Sequence, residues 1–136
     1  MRKSLFFIAF SLFALSASAQ TLVTEGAYDG GEGANHTQVS VDSEGILDFL
    51  QSCNAGVTTE AVEVDGSGLF SAEGQYGGRP HIGPGIVDPV DVHFIGVEDV
   101  GEGTLDIYVI EDSTFNILAH VVVTLGDLES LDNCGQ

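Results

Sequence analysis

The chain reads as all-β: a small antiparallel sandwich or barrel-like meander of about seven or eight short strands, closed by one disulfide. Three observations lead there. Segments rich in Val, Ile, Thr and aromatic residues recur at short intervals between turn signals of Gly and Asp. No stretch keeps an apolar pattern at helical spacing over several turns. Glycine, with 18 copies in 136 residues, concentrates in the connections.

Residues 1–19 have the form of an export signal: Arg2 and Lys3, an apolar stretch over 5–15, then Ala17-Ser18-Ala19 before Gln20. The apolar stretch is shorter than the roughly 20 residues that span a bilayer. Removing 19 of the 136 residues leaves 117, enough for one core and too few for two. Within that remainder, 20–35 is expected to hold an N-terminal strand and a flexible linker, and 36–136 a single β domain.

The first strand is predicted over 21–27. Tyr28-Asp29-Gly30-Gly31-Glu32-Gly33-Ala34-Asn35 follows, its small flexible residues and acids reading as a linker or mobile loop. In 36–41, Thr37, Val39 and Val41 share one face, and Asp42-Ser43-Glu44-Gly45 turns the chain into a strand over 46–53. Asn54-Ala55-Gly56 reads as a break before a strand over 57–64. Asp65-Gly66-Ser67-Gly68 is the clearest tight-turn signal, because Gly and Asp tolerate positive φ. Over 69–76, Phe70, Ala72, Gly74 and Tyr76 alternate strictly with polar neighbours.

Residues 77–89 carry all three prolines and should form the longest loop. Strands resume over 90–97 and, after a turn at 98–103, over 104–110, where Leu105, Ile107 and Val109 share a face. The near-continuous Val and Ile of 115–125 suggest a strand buried on both faces, or one whose outward face is covered. A tail from Gly126 brings Cys134 back towards Cys53. These are the only cysteines, and in an oxidising compartment the expectation is that they pair. A thiolate metal site or redox pair would need closer spacing or further soft ligands.

Charge narrows the function classes. The chain has 21 carboxylates against three Lys and Arg, and losing Arg2 and Lys3 with the signal takes the net charge from −18 to −20. Arg79 is then the one basic side chain apart from histidine. Nucleic acid and anionic membrane surfaces are excluded as expected partners, since each encounter begins with repulsion and no basic patch offsets it. A cation or a basic protein surface fits better. A saline medium accounts for the composition equally well, because salt screens the self-repulsion.

The run Cys53-Asn54-Ala55-Gly56, Gly68-Leu69-Phe70, Gly74-Gln75-Tyr76, a Gly/Pro loop, Phe94-Ile95-Gly96, Leu105-Asp106-Ile107 and a closing Cys134 resembles an uncharacterised group of small exported bacterial β proteins. Their pattern is Cys-x-x-Gly, Gly-x-Phe, Gly-x-Tyr and a C-terminal cysteine. The resemblance covers roughly the last 85 residues. It implies a β fold and a disulfide and assigns no activity; the secreted or periplasmic location is expected from the export signal, with no cysteine directly after its cleavage site to carry a lipid anchor. Members often carry a histidine where this chain has Ala55, so no role transfers at that position.

Catalytic signatures are weak. No Gly-x-Ser-x-Gly elbow is present, and Ser67 lies in a tight turn without a neighbouring base. The chain lacks tryptophan, so a sugar-stacking platform would fall to Tyr28, Tyr76, Tyr108 and a few phenylalanines. His36, His81, His93 and His120 would have to converge with a carboxylate to bind zinc or copper, and none has ligand spacing. Acidic turns at 29–33, 42–44, 65–68 and 98–102 suggest weak calcium binding, and no other cofactor is expected. Arg79 and His81, in the Pro/Gly loop, are the pair expected to serve specific recognition. The expectation is a non-catalytic binding or structural module. The alternatives are a small-ligand or metal-ion carrier using a barrel interior, and an acidic hydrolase. No oligomeric state follows from the sequence.

Overall fold

Strict alternation along the longer strands puts one set of side chains inward, and the strands close around that set. The computed structural model describes residues 20–132 and Cys134; the proposed signal at 1–19 lies outside the described residues. In chain order the elements are β1 (Thr21–Leu22), β2 (Gly26–Gly30), a 3-10 turn (Gly33–Asn35), β3 (Thr37–Val41), β4 (Leu47–Gln51) and β5 (Asn54–Thr58). They continue with β6 (Glu63–Val64), β7 (Leu69–Gly78), β8 (Val87–Asp99), β9 (Thr104–Glu111) and β10 (Ile117–Leu125). Eight of these form a closed antiparallel barrel in the order β2-β3-β4-β5-β7-β8-β9-β10. The register Thr124↔Asp29 and Leu125↔Tyr28 joins β10 to β2 and completes it. The sandwich and barrel alternatives thus resolve to a barrel.

An eight-stranded barrel has an interior just wide enough to be filled by side chains. Tyr28, Phe49, Phe94, Leu105 and Ile107 fill it here, all at 1% exposure or less. Phe49 sits edge-on to Tyr76 and tilted against Phe94, with ring centroids 6.0 and 5.9 Å apart. The rings need room, which explains three strand glycines. A Cβ on Gly56 would lie 2.9 Å from Phe94 Cζ, and one on Gly74 2.7 Å from Phe94 Cε2. One on Gly96 would lie 2.7 Å from Phe70 Cζ and 1.9 Å from the Asp106 carbonyl oxygen.

β1 and β6 form a separate two-stranded ribbon, paired Thr21↔Val64 and Leu22↔Glu63. Val64 of the ribbon and Val23 and Val62 beside it join the buried core. Polar side chains inside the barrel bond to one another. Tyr76 Oη donates to Gln51 Oε1 (3.0 Å), Gln51 Nε2 donates to Thr37 Oγ1 (3.0 Å), and Thr37 donates to the Asn35 carbonyl (2.9 Å). No buried side-chain polar atom among the described residues lacks a partner.

Several local expectations are corrected. Tyr28, Asp29 and Gly30, read as the start of a flexible linker, belong to barrel strand β2, and Tyr28 is 1% exposed. Their composition suggested mobility, but pairing to β3 and β10 on both sides fixes them. Asn54-Ala55-Gly56, read as a break, lies in β5, where Gly56 makes room for an aromatic ring and turns nothing. The strand expected over 57–64 ends at Thr58, and 63–64 belongs to the ribbon. The loop expected over 77–89 shortens to 79–86 because β7 and β8 extend into it. β10 is buried on one face only: Val121 and Val123 point inward, while Leu118, Val122 and Leu125 are exposed.

Candidate functional site

The outer faces of β3, β4 and β5 form the floor of a cleft with a volume of about 420 Å³. Leu50 and Val57 supply its apolar surface, while Gln38, Ser40 and Asp48 supply the polar part. One wall is the loop 79–86, contributing Arg79, Pro80, Pro84 and Ile86. The opposite wall includes Leu128 of the C-terminal tail.

Both walls are anchored at the turn between β4 and β5. The loop begins where the Arg79 amide donates to the Cys53 carbonyl at 2.9 Å. The tail leaves β10 at Gly126, whose amide donates to the Ala27 carbonyl at 3.0 Å. It then crosses β2 and β3: the Glu129 amide donates to Asp29 Oδ2 at 3.0 Å, and Gln38 Nε2 donates to the Glu129 carbonyl. The Cys53–Cys134 disulfide holds its far end. The cysteine pairing expected from the sequence is therefore present.

Two charged residues, Asp48 and Arg79, line the cleft. Burial, reinforced by the Asp42 carboxylate, raises the Asp48 carboxyl above its ordinary range. The Arg79 guanidinium touches the Gln51 carbonyl at 3.4 Å, and no carboxylate among the described residues forms an ion pair with it. His81 is exposed and borders a smaller hollow of about 290 Å³ with Arg79, Ser52 and Cys134. The structure thus keeps Arg79 and His81 near each other, with Arg79 alone reaching the larger cleft.

The four histidines do not converge. His36, His93 and His120 each face a different aspartate, respectively Asp29, Asp112 and Asp106. His120 also stacks on Tyr108, with ring centroids 3.9 Å apart. Several acidic-turn carboxylates have local work: Asp42 Oδ1 accepts the amides of Glu44 and Ile46, and Asp65 Oδ1 those of Ser67 and Leu69.

Sequence reasoning missed Asp48, Leu128 and Glu129. Asp48 had only its outward position on a strand to mark it, and the two tail residues had no local signal. No family model matches the chain, and no curated protein or solved structure matches it either. Among the described residues no helix is long and apolar enough to cross a membrane.

Proposed function

We propose that the protein is an exported, non-catalytic binding module that takes a small amphiphile, an apolar body with one anionic or strongly accepting end, into the cleft between loop 79–86 and the tail. One observation carries this reading: Arg79, whose guanidinium has no carboxylate partner among the described residues, lines a mostly apolar cleft of about 420 Å³. That volume lies in the range of small-molecule sites, where a mostly apolar lining holds the ligand and a few polar groups orient it. A fork of guanidinium donors suits a carboxylate or sulfonate end. The signal-like segment, the disulfide and the resemblance to small exported β proteins support a secreted or periplasmic setting. The filled interior speaks against carriage inside the barrel.

The test is a fluorescence titration with 8-anilinonaphthalene-1-sulfonate, an apolar dye with one anionic end. Saturable one-site enhancement, weakened about tenfold in Arg79→Gln, is the expected result. Enhancement equal in both proteins removes Arg79 from recognition and with it the reading.

A further inference from the structure

Three histidines of the outer surface stand against aspartates, and one of these pairs differs from the others. His36 Nε2 lies 2.9 Å from Asp29 Oδ1 and 3.0 Å from Asp29 Oδ2. Both side chains are largely enclosed, at 13% and 14% exposure, whereas those of the pairs His93–Asp112 and His120–Asp106 are 36 to 45% exposed. Among the described residues, only at His36 does a third ligand come within reach. One donor atom each from Asp29, His36 and Glu129 lie within 4.8 Å of one another, the single such group among the described residues.

We propose that Asp29, His36 and Glu129 form a binding site for a divalent transition ion of the zinc class, one that clamps the C-terminal tail to β2. Zinc held tetrahedrally by nitrogen and oxygen at about 2.0–2.1 Å sets neighbouring donors roughly 3.3 Å apart. The Asp29–His36 pair therefore has to open by only a few tenths of an ångström to admit the ion, and Glu129, with a donor atom within 4.8 Å of both, completes the set. The backbone needs no rearrangement, because the Glu129 amide already donates to Asp29 Oδ2 and Gln38 already holds the Glu129 carbonyl. The Glu129 side chain is on the exposed tail and has rotamers to spend.

The donor set decides the ion. One imidazole with two carboxylates suits zinc, copper or nickel, whereas calcium takes six to eight oxygens and gains nothing from the ring nitrogen. A protein charge of −18 over the full sequence raises the local concentration of any divalent cation without choosing among them. Water completes the coordination. Such an ion fastens the tail beside the cleft wall at a point distinct from the disulfide.

Isothermal titration of the chelator-stripped, oxidised protein with zinc sulfate tests the site, with calcium chloride as the comparison. The expected result is one equivalent of zinc bound, weakened at least about tenfold by Glu129→Gln and by His36→Gln, and unchanged by His93→Gln or His120→Gln. Glu129 is exposed, so its variant remains informative even if His36→Gln misfolds. The site is overturned if zinc fails to bind, if Glu129→Gln binds as the parent does, if the surface pairs account for the heat, or if calcium binds equally well.

Discussion

Cys53 and Cys134, 81 residues apart in sequence and 4.6 Å apart at Cα, fasten the end of the tail to the turn whose Cys53 carbonyl also accepts the Arg79 amide at the start of the cleft loop. Cys53 thus holds the tail wall covalently and the loop wall by a backbone hydrogen bond. Closing a loop of this length stabilises a fold by up to about 4.5 kcal/mol in the chain-entropy model. The double variant Cys53→Ser/Cys134→Ser is expected to unfold at a clearly lower urea midpoint and to bind the anionic dye less tightly, since Leu128 is then held only by the hydrogen bonds of its neighbour Glu129. A lower midpoint with unchanged dye affinity would separate the tail from the cleft.

Gly96 is a glycine because of what it faces. A Cβ there would stand 1.9 Å from the Asp106 carbonyl oxygen, so β8 and β9 would have to part locally. Gly96→Ala is expected to cost at least about 1–3 kcal/mol, as overpacked cores do. Gly66→Ala is the comparison, because nothing lies within 4 Å of its would-be Cβ. Urea unfolding of the two variants gives the difference directly.

The same glycines show where sequence reasoning reaches and where it stops. β7 was legible because Phe70, Ala72, Gly74 and Tyr76 alternate with polar residues along an uninterrupted run. Gly56 misled because one residue type serves two ends: it permits turns, and it also makes room for Phe94 inside a narrow barrel. β10 misled because Leu118 and Val122 are apolar yet face outward, and composition alone does not record which face is covered. Arg79 was legible as the lone Lys or Arg beyond residues 1–19. Its partners in the cleft were not, because Leu128 reaches them only through the return of a tail whose Glu129 meets Asp29 across 100 residues.

Tyr28 makes the fold sensitive to alkali. Burial, followed by the nearby Glu98 charge, pushes its hydroxyl from 10.0 up to about 12, and the hydroxyl donates to the Thr24 carbonyl at 2.7 Å. Between these values the folded chain keeps a proton that the unfolded chain has released. Stability is therefore fully present below pH 10 and is lost as pH rises towards about 12. Tyr28→Phe is expected to flatten that limb while costing about 1 kcal/mol at neutral pH through the lost hydrogen bond. Guanidinium unfolding from pH 8 to 11.5 reads both effects, and an unchanged alkaline slope in the variant would assign the loss elsewhere.

Salt and calcium are expected to act alike on thermal stability. Asp42 and Asp65 each spend one carboxylate oxygen on two amides of their own turn, and their positions are explained by turn formation. Screening of self-repulsion remains, and it strengthens as the Debye length falls from about 8 Å at physiological ionic strength to about 3 Å at 1 M. Melting curves with sodium chloride and calcium chloride at matched ionic strength should rise together. A rise specific to calcium would place a calcium site among the acidic turns.

The central claim is that the cleft between loop 79–86 and the tail is where this protein binds its ligand. The most direct measurement is a proton–nitrogen NMR titration of the oxidised protein with decanoate, reading which amides move. Shifts centred on Leu50, Val57, Arg79, Ile86 and Leu128 are the predicted result. Shifts centred instead on the exposed apolar positions Ile95, Tyr108 and Val122 of β8, β9 and β10, or no saturable shifts at all, would contradict it.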